Sequence, residues 1–376
     1  MPDSVLYIVV FILLVNYVHF ILKIYYGLKK LPVSNNKSRC NSVSVIIPFR
    51  NESENILQSL QSLLMQDYPS DSFEVIYVND NSDDDSAVKL SSAIKESNFK
   101  IIDADDSGSS RAFKKRAVAQ AIDAAKGEVI LTTDADCTHN KEWISTMLSL
   151  FDDETAMVAG PVEFTSIDKL FSKIQRLEFR GLILAGAGLI GCGKPLTCSA
   201  ANLAYRKDVF YEVDGFNDNL NLSSGDDELL MQKISSTGKY KISFCSDSKA
   251  LVTTSYNKTV NDFFSQRKRW ASKGVFYNDK ILVARLVLIF FFYLAIPALF
   301  IASFFSLVYF YLFLITLGSK IITEYLVIKK GEKIIYKTSL LKYFLIAEIF
   351  QIVYIIIASV GGIAGNFTWK GREVKR

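Results

Sequence analysis

Ile281 to Gly318 is a run of 38 residues with one charge, Arg285, near its start. A helix needs about 20 apolar residues to cross the hydrocarbon core of a bilayer. This run is too long for one span and suits two spans joined tightly, with expected limits Leu286–Phe304 and Phe305–Ile322. Val5 to Leu22 is another uncharged run, of 18 residues. A signal peptide carries positive charge ahead of its apolar stretch. Here the leader is acidic at Asp3, and Lys23, Lys29, Lys30, Lys37 and Arg39 follow the run. The expectation is an uncleaved anchor whose basic flank stays in the cytoplasm, with the N-terminus outside and the next domain inside. Phe344 to Phe367 is a further apolar stretch, interrupted by Glu348 and Gln351. The basic loop before it (Lys329, Lys330, Lys333, Lys337, Lys342) and the four basic residues in Trp369–Arg376 after it both belong inside by charge. A simple span would separate them. A break at Gly361-Gly362, making the stretch re-entrant or interfacial, would not. Glu348 is either a functional group or a helix-packing contact.

Hydrophobic residues make up 50% of the chain, and the surplus sits in these runs. The net charge, 43 − 39 = +4, is too small to suggest nucleic acid. The two histidines, His19 and His139, argue against a Ser-His-Asp triad or a multi-histidine zinc site. The five cysteines are odd in number and contain no C-x-x-C pair, which supports neither a zinc framework nor a disulfide framework and fits a reducing compartment.

Between the apolar blocks, residues 41 to about 270 alternate strand and helix patterns. Val43–Pro48 and Phe73–Val78 are short β-branched runs, hence buried strands; Lys100–Ile102 and Glu128–Thr133 are two more. Helices are expected from Asn51–Glu54 onward to Asp67, over Ala87–Ser97 and over Arg111–Lys126. The alternation predicts an α/β fold with a mostly parallel sheet and helices on both faces, and such sheets bind ligands beyond the carboxyl ends of their strands. Asp80 closes the second strand; Asp134 and Asp136 close the fourth. Two carboxylates at i and i+2 can turn to one hard cation, Mg²⁺ or Mn²⁺, although a solvated turn reads the same way. No G-x-G-x-x-G or G-x-x-x-x-G-K-[ST] loop is present, which argues against dinucleotide and P-loop sites. Asp226, Asp227 and Glu228 stand at the start of a helix running through Lys233. Acids there favour the helix dipole, but three adjacent ones behind Gly225 also suit a proton acceptor. Gln266-Arg-Lys-Arg-Trp270 is either a juxtamembrane patch for anionic lipid or a sugar- and phosphate-binding set. Arg180–Ile190 fits a buried helix or one lying on the membrane.

In this order, Val45–Glu52, Val78–Ser82, Lys114/Lys115 leading to Gly127-Glu128, Asp134-Ala-Asp136, Ser199–Arg206 with Gly215-Phe216, Gly225-Asp-Asp227 and Gln266-x-x-Arg269-Trp270 resemble glycosyltransferase family 2. The likeness is to its membrane-anchored branch, which includes cellulose, hyaluronan and poly-N-acetylglucosamine synthases and ceramide glucosyltransferases. The resemblance implies a GT-A fold and inversion at the anomeric carbon of a nucleotide sugar, with a UDP-sugar as the expected donor. It also implies roles by position. Glu52 and Asp80 would hold the nucleoside, with Lys114 or Lys115 near the same pocket. Asp136, with Asp134, would hold the metal on the diphosphate. Asp227 would be the general base. Asp226, Gln266, Arg269 and Trp270 would line the acceptor and diphosphate side. Three features depart from the family pattern: Asn79 and Asn81 flank Asp80 where Asp and Gly are common, Gly225-Asp226 precedes the base, and only about four apolar segments are present.

The expected organisation is an anchor and basic linker (1–40), a GT-A domain (41–275) and C-terminal membrane segments (276–376). The expected protein is integral to the cell or inner membrane, with its catalytic domain in the cytoplasm. It would move a sugar to a lipid-linked or saccharide acceptor, in contact with membrane lipids. A processive polysaccharide synthase and a non-catalytic scaffold or nucleotide-sugar-binding protein are the alternatives.

Overall fold

The computed structural model describes residues 2–33, 42–105, 112–217, 225–272, 277, 279–364, 367–369 and 372–374. Lys37, Arg39, Cys40, Arg111, Ser223, Ser224 and the basic tail positions Lys370, Lys375 and Arg376 lie outside the described residues.

The first apolar run is the helix α1 (Pro2–Leu28), which continues past Leu22 because Ile24 and Gly27 pack against the domain that follows. The alternating region then folds as β1 (Val43–Phe49), α2 (Ile56–Leu64), β2 (Phe73–Asn79), α3 (Ser86–Ala93), β3 (Phe99–Asp103), α4 (Phe113–Ala124) and β4 (Val129–Thr132). α3 is shorter than its pattern predicts, because Ile94 turns extended and leads the chain toward β3. Next come β5 (Thr138–His139), α5 (Trp143–Leu148), β6 (Thr155–Ala159), β7 (Val162–Phe164), α6 (Leu170–Gly191), β8 (Leu203–Arg206), α7 (Lys207–Glu212), α8 (Glu228–Ser236), β9 (Lys241–Phe244), β10 (Val252–Thr254) and α9 (Val260–Ala271).

The main sheet has seven strands in the order β3-β2-β1-β4-β8-β6-β9. β3, β2, β1 and β4 are parallel, β8 runs antiparallel between β4 and β6, and β9 is parallel to β6. Val45, Ile46 and Ile47 of β1 are fully buried, as a central strand covered on both faces requires. A small sheet, β5-β10-β7, stands beyond the carboxyl end of β4. Asn202 ties these parts together: its amide donates to the Pro161 and Ala250 carbonyls at 2.8 Å each and accepts from the Trp143 indole at 3.0 Å.

The C-terminal block forms α10 (Lys280–Ala302), α11 (Leu307–Gly331) and α12 (Phe344–Ala364), followed by a short hairpin, β11 (Phe367–Trp369) and β12 (Arg372–Val374). Four segments among the described residues are long and apolar enough to cross a membrane: Ser4–Leu28, Lys280–Ala302, Leu307–Tyr336 and Leu341–Gly362. α11 runs beyond the expected limit at Ile322 because its charges are paired inside the bundle. The Lys320 ammonium contacts Glu348 of α12, Gln351 at 2.6 Å and Glu324 at 3.2 Å. The Tyr293 hydroxyl donates to Glu324 at 3.0 Å. A buried cation in an apolar setting is tolerated only with such partners. For Glu348, this arrangement supplies the helix-packing contact.

α6 joins the two halves. Its C-terminal part crosses α1 so closely that a Cβ on Gly27 would sit 1.7 Å from the Gly188 carbonyl oxygen, which glycine alone allows. Midway, Arg180 is fully buried and donates to Glu163 of β7, to Glu332 at 2.9 Å and to the Thr338 carbonyl at 3.0 Å. The connection between α11 and α12 is thereby pinned to the α/β domain. α12 touches that domain at both ends. Lys173 of α6 lies over the Tyr343 ring at the start of α12, 5.4 Å from its centroid. Near the other end, Gly361 and Gly362 pack on Lys268 and Ala271 of α9. Between them, Phe350 meets Phe171 and Phe263, and the Tyr354 hydroxyl donates to Glu178.

Candidate active site

The strand order reverses between β1 and β4, so loops leaving their carboxyl ends part and open a crevice. The first turns out of β1 and β2 place Asn51 and Asn81 at φ +52° and +51°. Asparagine tolerates this left-handed conformation, so Asn81 serves where a glycine is common. Asn79 holds the second turn by accepting from the Ser82 amide at 3.0 Å and donating to Asp103 at 2.8 Å. Glu52 leaves β1 on this edge; its carboxylate accepts from the Asn55 amide at 2.9 Å, and its own backbone N–H donates to Ser86 Oγ at 2.7 Å. Asp80 is 3% exposed, and its carbonyl accepts from Arg50 at 2.9 Å.

Asp134 and Asp136 follow β4. Thr254 Oγ1 at the end of β10 donates to Asp136 Oδ2 at 2.9 Å. Lys114, from the first turn of α4, puts its ammonium 2.8 Å from Asp134 Oδ1 and 3.3 Å from Asp226 Oδ2. Burial works to lower the Lys114 pKa, but Asp134, Asp226 and Asp227 outweigh it and hold the group above its ordinary value. The neighbouring Lys115 is fully buried and does not line the crevice. The two positions left open by the sequence are therefore distinguished: Lys114 faces the carboxylates.

Asp227 caps α8. Its Oδ1 accepts from the Glu228 amide at 2.7 Å and its Oδ2 from the Ala200 amide at 3.2 Å. These two bonds fix the carboxylate against the loop that opens the Ser199–Arg206 motif. Glu228 borders the same crevice and accepts from Thr197 Oγ1 at 3.2 Å. Tyr277 lies beside it; burial first, and then the Glu228 charge, push the phenol pKa up.

On α9, Gln266 accepts from the Asn257 amide at 3.0 Å. The Trp270 ring stacks on Phe179 with centroids 5.7 Å apart and planes 28° apart. Arg267 was not singled out by the sequence pattern, yet it carries much of this arrangement: it pairs with buried Glu178 and lies 4.4 Å over the Trp270 ring. Its position four residues after buried Phe263 on the same helix face was the available signal. Arg269 feels Asp134, Asp226 and Asp227; burial lowers its pKa and these charges offset only part of that.

One cavity of about 690 Å³ collects these groups. Glu52, Asp80, Lys114, Asp134 and Asp136 line one end. Asp226, Asp227, Gln266, Arg269 and Trp270 line the part beside them. Thus every site residue expected from sequence, except Lys115, borders the same space. The roof includes Tyr354, Ile355, Ala358 and Ser359 of α12, which no sequence pattern pointed to.

The donor set fits a hard divalent cation. Asp134, Asp136 and Cys137 each bring a ligand atom within 4.8 Å of the others. Burial, with Asp136 and Asp134 adding to it, pushes the Cys137 thiol well above its usual pKa. The two carboxylates are the ligand type that Mg²⁺ and Mn²⁺ prefer over softer metals.

Comparison with known proteins agrees with this geometry. Residues 44–214 match the sequence model of Glycosyl transferase family 2. Glycosyltransferase AglE of Haloferax volcanii is 27% identical over 214 residues, covering 54% of this chain and 64% of the relative. Poly-beta-1,6-N-acetyl-D-glucosamine synthase of Staphylococcus epidermidis is 24% identical over 255 residues, covering 65% and 58%. The chain thus spans about three fifths of the length of these curated relatives. Among solved structures, the mannosyltransferase PcManGT from Pyrobaculum calidifontis, in complex with GDP-Man and Mn²⁺, superposes with a TM-score of 0.57 at 17% identity, covering 95% of this chain and 98% of that one. That likeness speaks to the fold. The family match, the sheet order and the shared cleft agree that residues 44–214 form a glycosyltransferase family 2 domain on a GT-A fold, joined to apolar helices of membrane-spanning length.

Proposed function

We propose that this protein is a membrane-bound, inverting, metal-dependent glycosyltransferase. It moves a sugar from a nucleotide donor, with UDP-sugars the first to test, to a lipid-linked or saccharide acceptor at the cytoplasmic face. The observation that carries the proposal is the single cavity bordered by Glu52, Asp80, Asp134, Asp136, Asp226 and Asp227 together with Arg269 and Trp270. In this reading Glu52 and Asp80 hold the nucleoside, while Asp134 and Asp136 hold Mg²⁺ or Mn²⁺. The bound cation would neutralise charge on the diphosphate leaving group. Arg269 and Lys114 add positive charge on the same side. Asp227, held by two backbone amides, takes the proton of the acceptor hydroxyl as that oxygen bonds to the anomeric carbon. The bond from that carbon to the diphosphate breaks on the opposite face, and the configuration inverts. No histidine is required.

The test is transfer by purified Asp227→Asn and Asp136→Ala. Loss of a general base costs about 10²–10⁴-fold. Asparagine keeps an oxygen for the Glu228 amide, so the helix cap survives the substitution. Near-normal transfer by either variant would refute the assigned role. The name of the staphylococcal relatives makes a processive synthase the second reading, and a ladder of long chains from one donor would support it.

A further inference from the structure

The cavity has two ends of different chemistry. The carboxylates occupy one. The other is an apolar arm bordered by Leu182, Ile183 and Leu189 of α6, Leu286 of α10, and Ile355 and Ala358 of α12. Two of these helices, α10 and α12, are of membrane-spanning length, and the third, α6, packs against α1, which is another. α12 is held to the α/β domain at both ends and at Tyr354, so its inner face roofs the arm. Its other face, with Ile349 68% and Val353 51% exposed, is turned outward. Leu182 borders the arm and is itself 39% exposed, so the arm is open along α6.

The geometry points to an acceptor that is a membrane lipid: a hydroxyl-bearing head group beside Asp227 with its hydrocarbon tail in the arm between α6 and α12. This inference rests on the glycosyltransferase reading above and names its acceptor class. A glycan chain in the same arm would have to leave the hydration of its hydroxyls, and the aliphatic side chains there offer no replacement hydrogen bonds, the Tyr354 hydroxyl being held by Glu178 and the Ser359 hydroxyl being a single group for many. An alkyl chain loses nothing polar and gains with each methylene buried. The head group must carry a hydroxyl, because a carboxylate base has work to do only on an acceptor that must lose a proton.

The test uses the full chain in phosphatidylcholine nanodiscs with a long-chain alcohol (hexadecanol bearing a mid-chain diazirine) as photoprobe. The expected result is labelling of peptides carrying residues 182–189 and 355–359, reduced at least fivefold in Ala358→Phe, which fills the arm. Labelling of the outward positions Ile349 and Val353 should be equal in both proteins. Labelling confined to the outward face, or inner labelling unchanged by Ala358→Phe, would overturn the inference, and the wild-type pattern decides this even if the variant misfolds. In a second arm, a radiolabelled UDP-sugar and Mn²⁺ are supplied with membrane lipid extract or with water-soluble oligosaccharides. Product in the organic phase supports the lipid acceptor. Product only on soluble glycans overturns it and leaves the glycosyltransferase reading standing. Donor cleaved in neither mixture, with any nucleotide sugar, counts against that reading itself.

Discussion

Lys114 occupies the place where two of the acidic segments meet, and replacing it with methionine separates its possible roles. At an effective dielectric of about 20, its attraction to Asp134 at 2.8 Å and Asp226 at 3.3 Å amounts to about 6 and 5 kcal/mol before desolvation. Asp134 is 38% exposed, so solvent screening reduces the net worth of that pair to about 1 kcal/mol. The ammonium therefore competes with a divalent cation for Asp134 and repels it electrostatically. A charge within about 4–6 Å shifts a neighbouring ionisation by about 1–3 units. On that scale, Lys114→Met should tighten Mn²⁺ binding by about 10–1,000-fold, read by the free Mn²⁺ signal in electron paramagnetic resonance titrations without nucleotide. In saturating Mn²⁺, the same variant should bind UDP at least about tenfold more weakly, because the diphosphate loses a positive partner. Lys114→Arg keeps the charge and should hold metal affinity within about threefold. If folded Lys114→Met binds Mn²⁺ no better than the parent, the lysine is a structural clamp and the competition argument is wrong.

Three further outcomes follow from the packing. His139 is held neutral by burial, with its pKa lowered to about 3, and it hydrogen-bonds Ser62 and Thr133. The unfolded chain takes up that proton near pH 6.5 and the folded protein does not, so stability is intact above pH 6.5 and falls by about 1.4 kcal/mol per pH unit below it; thermal unfolding between pH 7 and 5 should be steeper in pH for the parent than for His139→Gln. Arg180→Met leaves Glu332 without its cation while Glu163 keeps Arg176 at 2.7 Å, a loss of about 3–5 kcal/mol, whereas adding Glu332→Gln should recover part of it in the same unfolding assay. A Cβ on Gly160 would lie 2.3 Å from the Asn202 amide nitrogen, so Gly160→Ala should destabilise by about 1–3 kcal/mol and loosen both sheets, seen as faster amide exchange in β7 and β10.

The four parallel strands were legible because each is a short, continuous β-branched run between turn residues, and the carboxylates at their exits followed from the rule about strand ends. β8 was not legible as an antiparallel insertion. Leu203–Arg206 carries no periodic signal of its own, and its place is set by contacts with β4 and β6. β5, β7 and β10 are two or three residues long, below what alternation can reveal. Lys114 and Lys115 were equivalent as sequence, and only the rotation of α4 separates them. The end of α11 was set too early because hydropathy counts Glu324 as a break, whereas a charge paired with Lys320 inside the bundle is not. The hydropathy of α12 says nothing about the direction it takes; that comes from Tyr343, Tyr354 and Gly362 gripping the domain.

α6 has a practical consequence for handling this protein. A fragment cut at residues 41–275 would retain the helix but lose what covers it: Ile24 and Gly27 on one side, and Ile328, Gly331 and Glu332 on the other. Arg180 would keep Glu163 and forfeit its second carboxylate. Such a fragment should need detergent, or clump without it, even though it contains every residue assigned to the proposed chemistry, and attempts to crystallise or engineer the protein should start from all 376 residues.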